Sequence, residues 1–446
     1  MVKAIVLASG QSLRVRPLGD KSLQYFLGKS LLRRHLDLLA QVGIGQVVIV
    51  TNPENDERIR DECKGTTSEV IFVLKEKYFG MGYAVSLGLE AVNPSDSIFI
   101  TQAHDVLDFE FYSKLLRTAS IDPEAILVAA RRVESYFPGG YLIPLANPGS
   151  DETSPFAIQG IVEKPDKGAE PSNWINVVAH YIPNAGELAD ALRNETGAQN
   201  DGYERALTSL MQQRQTIAIP HEAPTASLKY PWHVLDIMEL LLEKISGLHI
   251  HRSVHVAEGA SVHGAVILSE GVRLYPGASV VGPAYVGAGT ILGQGSLIRG
   301  SMTGRNCVIG HGTEVARSWL SDDVWLHSNY IGDSVIDSNV SFGSGTIVAN
   351  LRLDESIISM RVNGERIDTS RRKLGVVVGT GARIGINVSL MPGIVVGRNA
   401  VVGPGVVLNS NVPDAKCVWV QQQLTLSENT KRVVLEGRND FRSKLD

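Results

Sequence analysis

The stretch that decides the fold is SVHVAEGASVHGAVILSEGVRLYPGASVVGPAYVGAGTILGQGSLIRG, residues 253–300. An aliphatic residue recurs in it at every sixth position, separated by residues that are mostly small. A period of six fits neither a lone amphipathic helix nor a simple strand. It is typical of a parallel β-helix, in which each six-residue face turns one side chain inward and small residues form the corner that follows.

The same period returns twice further along the chain. The residues on it are Val256, Val262, Leu268, Leu274, Val280, Val286, Leu292 and Ile298, then Val324, Tyr330, Ile336, Phe342 and Val348, then Val378, Ile384, Leu390, Val396, Val402 and Leu408. Because three faces make one coil, residues 253–408 predict about eight coils that are stabilised by stacking on one another.

The first 240 residues alternate between predicted strands and helices. The expected strands are Lys3–Ala8, Gln46–Thr51, Glu69–Leu74, Ser97–Thr101 and Ala125–Ala130, and the expected helices are Ser30–Val42, Glu54–Cys63, Gly82–Val92 and Phe109–Ala119. This alternation predicts a doubly wound, Rossmann-like α/β domain with ligands at the carboxyl ends of its strands. We expect this domain over residues 1–240, a linker over 241–252, the β-helix over 253–412, and a charged tail over 413–446 without assigned structure.

Composition limits the classes of partner and location. The 446 residues carry a formal net charge of −5, which gives no reason to expect nucleic acid as a partner. The three cysteines lie far apart without CxxC spacing, which fits a reduced, cytoplasmic protein. No apolar run reaches the roughly 18 residues of a membrane span.

Small and cationic residues follow the first predicted strand. The strand runs into the sequence Ala8-Ser9-Gly10-Gln11-Ser12-Leu13-Arg14, and Lys21 lies seven residues after Arg14. Small residues let backbone N–H groups point at phosphate oxygens, and the two cations would neutralise charge on a transferring phosphoryl group. On spacing alone, a surface turn with two solvated cations explains the stretch equally well.

With Gly28-Lys29, this stretch resembles the signature LAAGxGTRM…PK…GK of the nucleotidylyltransferases. The spacings from Arg14 to Lys21 and from Lys21 to Gly28-Lys29 are similar to those of the bifunctional N-acetylglucosamine-1-phosphate uridylyltransferases. The resemblance covers Val2 to about Pro413. It implies that Arg14 and Lys21 are catalytic. It also implies the following ligands: Ala8, Gly10, Gly80 and Gly82 for the nucleotide, Asp105 for Mg²⁺, and Gly140, Glu163, Lys164 and Asn176 for the sugar and its phosphate.

Several residues depart from the family's motifs. Ser12, Leu13 and Asp20 replace a glycine, a threonine and a proline of the signature, Met81 replaces a threonine, and His104 replaces the glycine before Asp105. The family's second metal ligand is an aspartate shortly before Pro-Trp, where this chain has Ser227. A hydroxyl is a poorer Mg²⁺ ligand than a carboxylate, and Lys229 would bring a positive charge instead.

The segment Trp325–Asp333 interrupts the small-residue texture of the β-helix. It resembles the GHLTYLGD segment of the same enzymes, and residues 343–350 resemble their GAGTITxN segment. The resemblance implies that His327 is the base of an acetyl transfer, that Tyr330 and Asn350 contact the substrate, and that acetyl-CoA lies between neighbouring subunits of a homotrimer. On the six-residue period alone, Tyr330 would instead be an inward-pointing ring. The family's phosphate-binding lysine is replaced by Ser356, although Arg317 and Arg352 lie close by in sequence.

The resemblance implies a left-handed β-helix and an enzyme with two activities. The first transfers a nucleotidyl group from an NTP (UTP or dTTP) to a sugar-1-phosphate with release of pyrophosphate. The second is an acetyl-CoA-dependent N-acetylation of an amino-sugar-1-phosphate. Two alternatives stay open at this point: an acyltransferase whose first domain only binds, and a catalytically degenerate regulatory or assembly subunit.

Overall fold

The computed structural model describes residues 2–77, 79–134, 136–146, 148, 153–195, 201–221, 223, 226–430 and 435–444. Numbered along the chain, its α-helices are α1 (Leu31–Gln41), α2 (Asp56–Glu62), α3 (Gly80–Leu89), α4 (Phe109–Ile121), α5 (Ala185–Asn194), α6 (Gly202–Met211), α7 (His233–Leu242) and α8 (Leu435–Arg442). Two short 3₁₀ helices, Leu13–Val15 and Lys21–Leu23, lie in the loop after the first strand.

The strands of the α/β domain form one large sheet and two small ones. They are β1 (Lys3–Leu7), β2 (Tyr25–Phe26), β3 (Lys29–Ser30), β4 (Gln46–Thr51), β5 (Glu69–Leu74), β6 (Ile98–Gln102), β7 (Asp105–Val106), β8 (Ile126–Arg132), β9 (Gly140–Pro144), β10 (Phe156–Glu163), β11 (Trp174–Ile182), β12 (Thr216–Pro220) and β13 (Ala226–Ser227). The large sheet has the order β5-β4-β1-β6-β11-β8-β12-β10-β9, while β2 pairs with β3 and β7 with β13. The predicted order of alternating strands and helices is therefore confirmed through β8.

The large sheet is mixed rather than wholly parallel. Strands β4, β1 and β6 are parallel to one another, whereas β11 runs antiparallel between β6 and β8. The end of β1 and the end of β6 consequently lie side by side, and β11 begins at the same edge. This edge brings the loop after β1, strand β7 and the start of β11 together.

The remaining strands form three stacked parallel faces, as expected for a β-helix. The first face contains β14 (Leu248–Ile250), β17 (Val266–Leu268), β20 (Ala284–Val286), β23 (Met302–Thr303), β26 (Trp319–Leu320), β29 (Val335–Ile336), β34 (Val376–Val378) and β37 (Ile394–Val396). The second contains β15 (His255–Val256), β18 (Arg273–Leu274), β21 (Ile291–Leu292), β24 (Val308–Ile309), β27 (Trp325–Leu326), β30 (Ser341–Phe342), β35 (Arg383–Ile384), β38 (Val401–Val402) and β40 (Cys417–Val418). The third contains β16 (Ser261–His263), β19 (Ser279–Val281), β22 (Leu297–Arg299), β25 (Glu314–Ala316), β28 (Tyr330–Gly332), β31 (Ile347–Val348), β36 (Ser389–Leu390) and β39 (Val407–Leu408).

This architecture agrees with the predicted left-handed β-helix of about eight coils. Its first strand pairs with β17 eighteen residues later, so the stacking already begins within the segment expected to be a linker. A hairpin of β32 (Ser359–Val362) and β33 (Glu365–Asp368) projects between β31 and β34.

The gap in the six-residue period has a structural cause. Between Ile298 and Ile336, several faces are one residue shorter, so the buried inward positions become Thr303, Ile309, Val315, Leu320, Leu326 and Ile331. The register brings Thr303 opposite Val286 and Leu320 opposite Thr303, a spacing of 17 rather than 18 residues. The sequence-based alternative of an inward-pointing Tyr330 is therefore wrong, because Ile331 takes the inward position.

The two domains pack together through one apolar cluster. It joins Leu18 and Phe26 from the loop after β1 to Trp232 of the segment before α7 and to Trp319 on the first face of the β-helix. The indole N–H of Trp319 donates to the backbone oxygen of Tyr25 at 3.0 Å. The loop that carries the predicted phosphate ligands is thus fixed against the β-helix.

The hairpin adds charged contacts to this interface. Arg371, in the segment after β33, forms ion pairs with Asp236 and Glu239 of α7.

Among the helices of the described residues, none combines the length and the apolar character that a membrane span requires.

Leu18→Ala should destabilise the protein markedly. Leu18 is only 1% exposed within the interdomain cluster, and truncation of such a leucine costs about 2–5 kcal/mol of unfolding free energy. Leu353→Ala, at a fully exposed leucine, is the matched control and should change the value by less than about 0.5 kcal/mol. Denaturant unfolding measures both, and equal stability of the two variants would contradict the described packing.

Candidate functional site

A cavity of about 510 Å³ opens at the carboxyl edge of the large sheet. Most of the residues predicted to bind nucleotide, sugar or metal line it: Ala8, Gly10, Arg14, Lys21, Gly80, Asp105, Gly140, Glu163, Lys164 and Asn176. They come from six separate stretches of the chain, and the fold brings them to one place.

Gly82 has a different position from the predicted one. It is not among the described residues that line the cavity. A Cβ at this position would lie 3.3 Å from the backbone nitrogen of Tyr203. Gly82 therefore permits the close approach of α3 to α6, and Gly80 is the glycine of this motif that reaches the cavity.

Side chains fix the conformation of the loop after β1. Ser12 has a φ of 55°, in the left-handed region that favours the family's glycine. Its hydroxyl accepts a hydrogen bond from the backbone N–H of Lys21 at 3.2 Å. Asn55 donates both to the Ala8 carbonyl and to the Asp20 carboxylate, each at 2.8 Å. Ser12 and Asp20, which replace residues of the family signature, thus take part in the hydrogen bonds that hold the loop.

Lys21 lies in the cavity beside a buried histidine. Its Nζ is 3.1 Å from His104 Nε2. Burial, followed by the charge of Arg14, lowers the pKa of Lys21 to about 8, while the charge of Asp105 opposes the change. Burial also keeps the pKa of His104 well below its usual value. A neutral imidazole can accept a hydrogen bond from the ammonium, so His104 holds the Lys21 side chain in place.

Asp105 faces Ser227 across the small β7–β13 sheet. The two residues are directly paired in its register. Burial raises the pKa of Asp105, whereas the Ser227 side chain and the Lys229 and Lys21 charges oppose that rise. Its Oδ1 is buried without a hydrogen-bond partner among the described residues. This carboxylate oxygen is available to a cation brought in with a ligand.

Gly140, Glu163 and Asn176 lie close together in the wall of the cavity. A Cβ on Gly140 would lie 3.1 Å from Glu163 Oε2 and 3.5 Å from Asn176 Cβ. His180 fixes the amide of Asn176, because its Nε2 is 2.8 Å from Asn176 Oδ1 and its Nδ1 is 2.7 Å from the Tyr203 hydroxyl. If Tyr203 donates, His180 donates to Asn176, and the amide N–H₂ remains available to a ligand.

Glu204 also lines the cavity, and it has no counterpart in the family's sequence motifs. It is 7% exposed, and its Oε2 is buried without a hydrogen-bond partner among the described residues. Burial, followed by the charge of Glu163, raises its pKa to about 7. Sequence reasoning missed Glu204, His180 and Arg131 because none of them belongs to a local motif. Glu204 lies on α6, His180 on β11 and Arg131 on β8, so tertiary packing brings them together. For His180, the spacing of four from Asn176 along one strand was the only available signal.

A second polar cluster lies on the β-helix near the predicted acetyl-transfer residues. Asn350 Nδ2 is 3.3 Å from the Tyr330 hydroxyl and also donates to the Asp333 carboxylate. The Tyr330 hydroxyl is therefore directed towards Asn350, and its contact with the substrate stays a prediction. His327 is exposed at the corner between β27 and β28.

The two arginines near this cluster are already paired with carboxylates. Arg317 binds Asp333 through two bonds of 2.7 Å, and Arg352 binds Asp354. Arg317 thereby orients Asp333 and, through it, Asn350. To bind a phosphate, either arginine would have to share its carboxylate contact.

Comparisons with known proteins divide the chain in the same way. Residues 4–225 match the MobA-like NTP transferase domain, and residues 375–410 match the bacterial transferase hexapeptide model of six repeats. A bifunctional sugar-1-phosphate nucleotidylyltransferase/acetyltransferase of Sulfurisphaera tokodaii is 27% identical over 88% of this chain and 94% of its own length. The bifunctional protein GlmU of Methanococcus vannielii is 25% identical over 88% of this chain and 91% of its own.

Among solved structures, a UTP-bound UGPase from Acinetobacter baumannii is 20% identical, with a TM-score of 0.46, over 53% of this chain and 92% of that one. The two relatives above, in contrast, match this chain across both domains. The chain therefore carries a MobA-like NTP transferase domain followed by transferase hexapeptide repeats, and it is similar over most of its length to bifunctional nucleotidylyltransferase/acetyltransferase proteins.

Proposed function

We propose that the first domain transfers a nucleotidyl group from an NTP to a sugar-1-phosphate. The observation that carries the proposal is the convergence in one cavity of Arg14 and Lys21 with Glu163 and Asn176. The sugar phosphate attacks the α-phosphate in line, a new P–O bond forms, and the bond to pyrophosphate breaks. Such catalysis depends on positioning and charge neutralisation, for which two cations on a fixed loop are suited.

The family resemblance assigns the residues of the cavity to different parts of the substrates. Arg14 and Lys21 would bind the phosphates, together with the backbone around Ala8 and Gly10. Gly140, Glu163, Lys164 and Asn176 would hold the sugar and its phosphate. UTP and dTTP are the nucleotides that the family resemblance favours.

Asp105 fits the role of a Mg²⁺ ligand in part. Its free, buried Oδ1 suits a cation, and Mg²⁺ in phosphate sites is held by one or two carboxylates together with substrate phosphates. When bound, the ion would neutralise phosphate charge. Among the described residues there is no group of three or more His, Cys, Asp or Glu that could hold a metal without a substrate.

We infer that the β-helix transfers an acetyl group from acetyl-CoA to the amine of an amino-sugar-1-phosphate. His327 would take a proton from the amine as its nitrogen bonds to the acetyl carbon, and the C–S bond would break to release the CoA thiol. Asn350 and Tyr330 would contact the substrate. Because His327 is exposed on this chain, a neighbouring subunit would have to complete the acetyl-CoA cleft, and the homotrimer and the cytoplasmic location stay predictions.

The test of the first activity is pyrophosphate release, with each NTP offered against a panel of sugar-1-phosphates in the presence of Mg²⁺. Lys21→Ala should lower kcat/KM at least about 100-fold, because a buried charge that stabilises phosphoryl transfer is lost. Lys244→Ala, at an exposed position after α7, is the control and should retain full activity. Wild-type levels in Lys21→Ala would show that Lys21 is not catalytic, and no release by the wild type with any pairing would favour the acyltransferase-only alternative.

His327→Ala should lower acetyl transfer by about 10²–10⁴-fold, because no base remains to take the proton. Release of the CoA thiol with glucosamine-1-phosphate as acceptor measures this, and pyrophosphate release should be unchanged in the same variant. His263→Ala, at an exposed histidine on β16, serves as the control. Unchanged thiol release from His327→Ala would remove the base from this position.

A further inference from the structure

The residue paired with Asp105 in this chain differs from the one that the family resemblance implies. In the β7–β13 sheet, Ser227 occupies the position paired with Asp105, where the resemblance places a second carboxylate. A serine hydroxyl contributes no charge to a metal site. Two residues later in the same segment comes Lys229, which lines the cavity.

Phe137 and Gly139 fix where the Lys229 ammonium lies. Its Nζ is 3.9 Å from the centroid of the Phe137 ring, and a Cβ on Gly139 would lie 4.0 Å from it. The Lys229 backbone N–H, in contrast, is directed to His233 of α7 at 3.3 Å. The side chain is therefore extended into the cavity while its backbone is anchored to a helix.

The Lys229 ammonium has no hydrogen bond or ion pair to another described residue. Burial lowers the pKa of Lys229, as do the charges of Arg14 and Arg131, whereas the charges of Asp105 and Glu163 oppose the change. A desolvated ammonium with unused donors is costly unless a ligand supplies acceptors. The aromatic ring contributes only part of that compensation.

Cations outnumber carboxylates among the described residues that line the cavity. Its cations are Arg14, Lys21, Lys75, Arg131, Lys164 and Lys229, and its carboxylates are Asp105, Glu163 and Glu204. A triphosphate or pyrophosphate carries several negative charges and many acceptor oxygens. The charge balance therefore matches a polyphosphate without a second carboxylate-bound cation.

We propose that Lys229 binds the phosphate oxygens of the nucleotide and takes over the charge neutralisation that a second metal ligand would support. This inference rests on the proposed nucleotidyl transfer and specifies how its triphosphate is held. It follows that the chain binds a nucleoside triphosphate through its own cations, Lys229 among them.

The test is equilibrium binding to the full-length protein in EDTA, measured calorimetrically with UTP, dTTP and inorganic pyrophosphate as probes. Wild-type protein should bind at least one of them without divalent cations, and Lys229→Met should weaken that binding at least about tenfold. Lys229→Arg, which retains the charge, should keep most of the affinity. Lys244→Met is the matched control at an exposed position and should bind as the wild type does.

A double variant tests directly whether Lys229 takes the place of a second metal ligand. Ser227→Asp with Lys229→Gly should bind the same probe weakly in EDTA and recover affinity when Mg²⁺ is added. Equal binding by wild type and Lys229→Met in EDTA would overturn the inference, as would a wild type that binds no probe without Mg²⁺. Binding that depends on Lys229 in a protein that releases no pyrophosphate would instead overturn the proposed transfer and leave this inference standing.

Discussion

The rest of the structure depends on one contact, the packing of the loop after β1 on the first face of the β-helix. Leu18 and Phe26 are buried against Trp319, whose indole N–H holds the Tyr25 carbonyl. A loop of small residues after a strand is ordinarily mobile. Here the apolar side chains fix its reverse side, so that Arg14 and Lys21 are presented to the cavity from a rigid support. The same contact makes the β-helix a structural part of the nucleotidyl site.

The burial of charged residues sets the electrostatic properties of the cavity. Burial lowers the pKa of Lys21 and of Lys229 to about 8 each, and both remain mainly protonated at neutral pH. Their desolvation is a cost that an anionic ligand would offset, and in a water-poor site each charge acts more strongly than it would in bulk water. Glu163 and Glu204 line the same cavity and add acceptor oxygens to it.

Much of this arrangement could be predicted from the sequence, because its signals are local or periodic. The six-residue period predicted the β-helix, and the motifs predicted most of the residues that line the cavity. The period failed where faces are one residue shorter, and Tyr330 then fell on an aliphatic position that Ile331 occupies in space. Gly82 belongs to a recognisable motif, yet its contact partner on α6 is distant in sequence. Glu204 and His180 depend on which strands are neighbours, and no local pattern carries that information.

The departures from the family's motifs become interpretable once their contacts are known. Ser12 adopts the left-handed conformation of the glycine that it replaces and uses its hydroxyl to hold Lys21. His104, in place of another glycine, supports the same lysine. Ser227 removes a carboxylate while Lys229 adds a cation. These replacements are consistent with a cavity that retains its function with different charge chemistry.

The most direct test of two group transfers on one chain is a single incubation of the wild-type protein with glucosamine-1-phosphate, acetyl-CoA, Mg²⁺ and either UTP or dTTP. Mass spectrometry identifies the product. We expect a nucleoside diphosphate linked to an N-acetylated hexosamine, with one pyrophosphate and one CoA thiol released per product. Release of neither pyrophosphate nor thiol from correctly folded protein, with either nucleotide, would contradict the account.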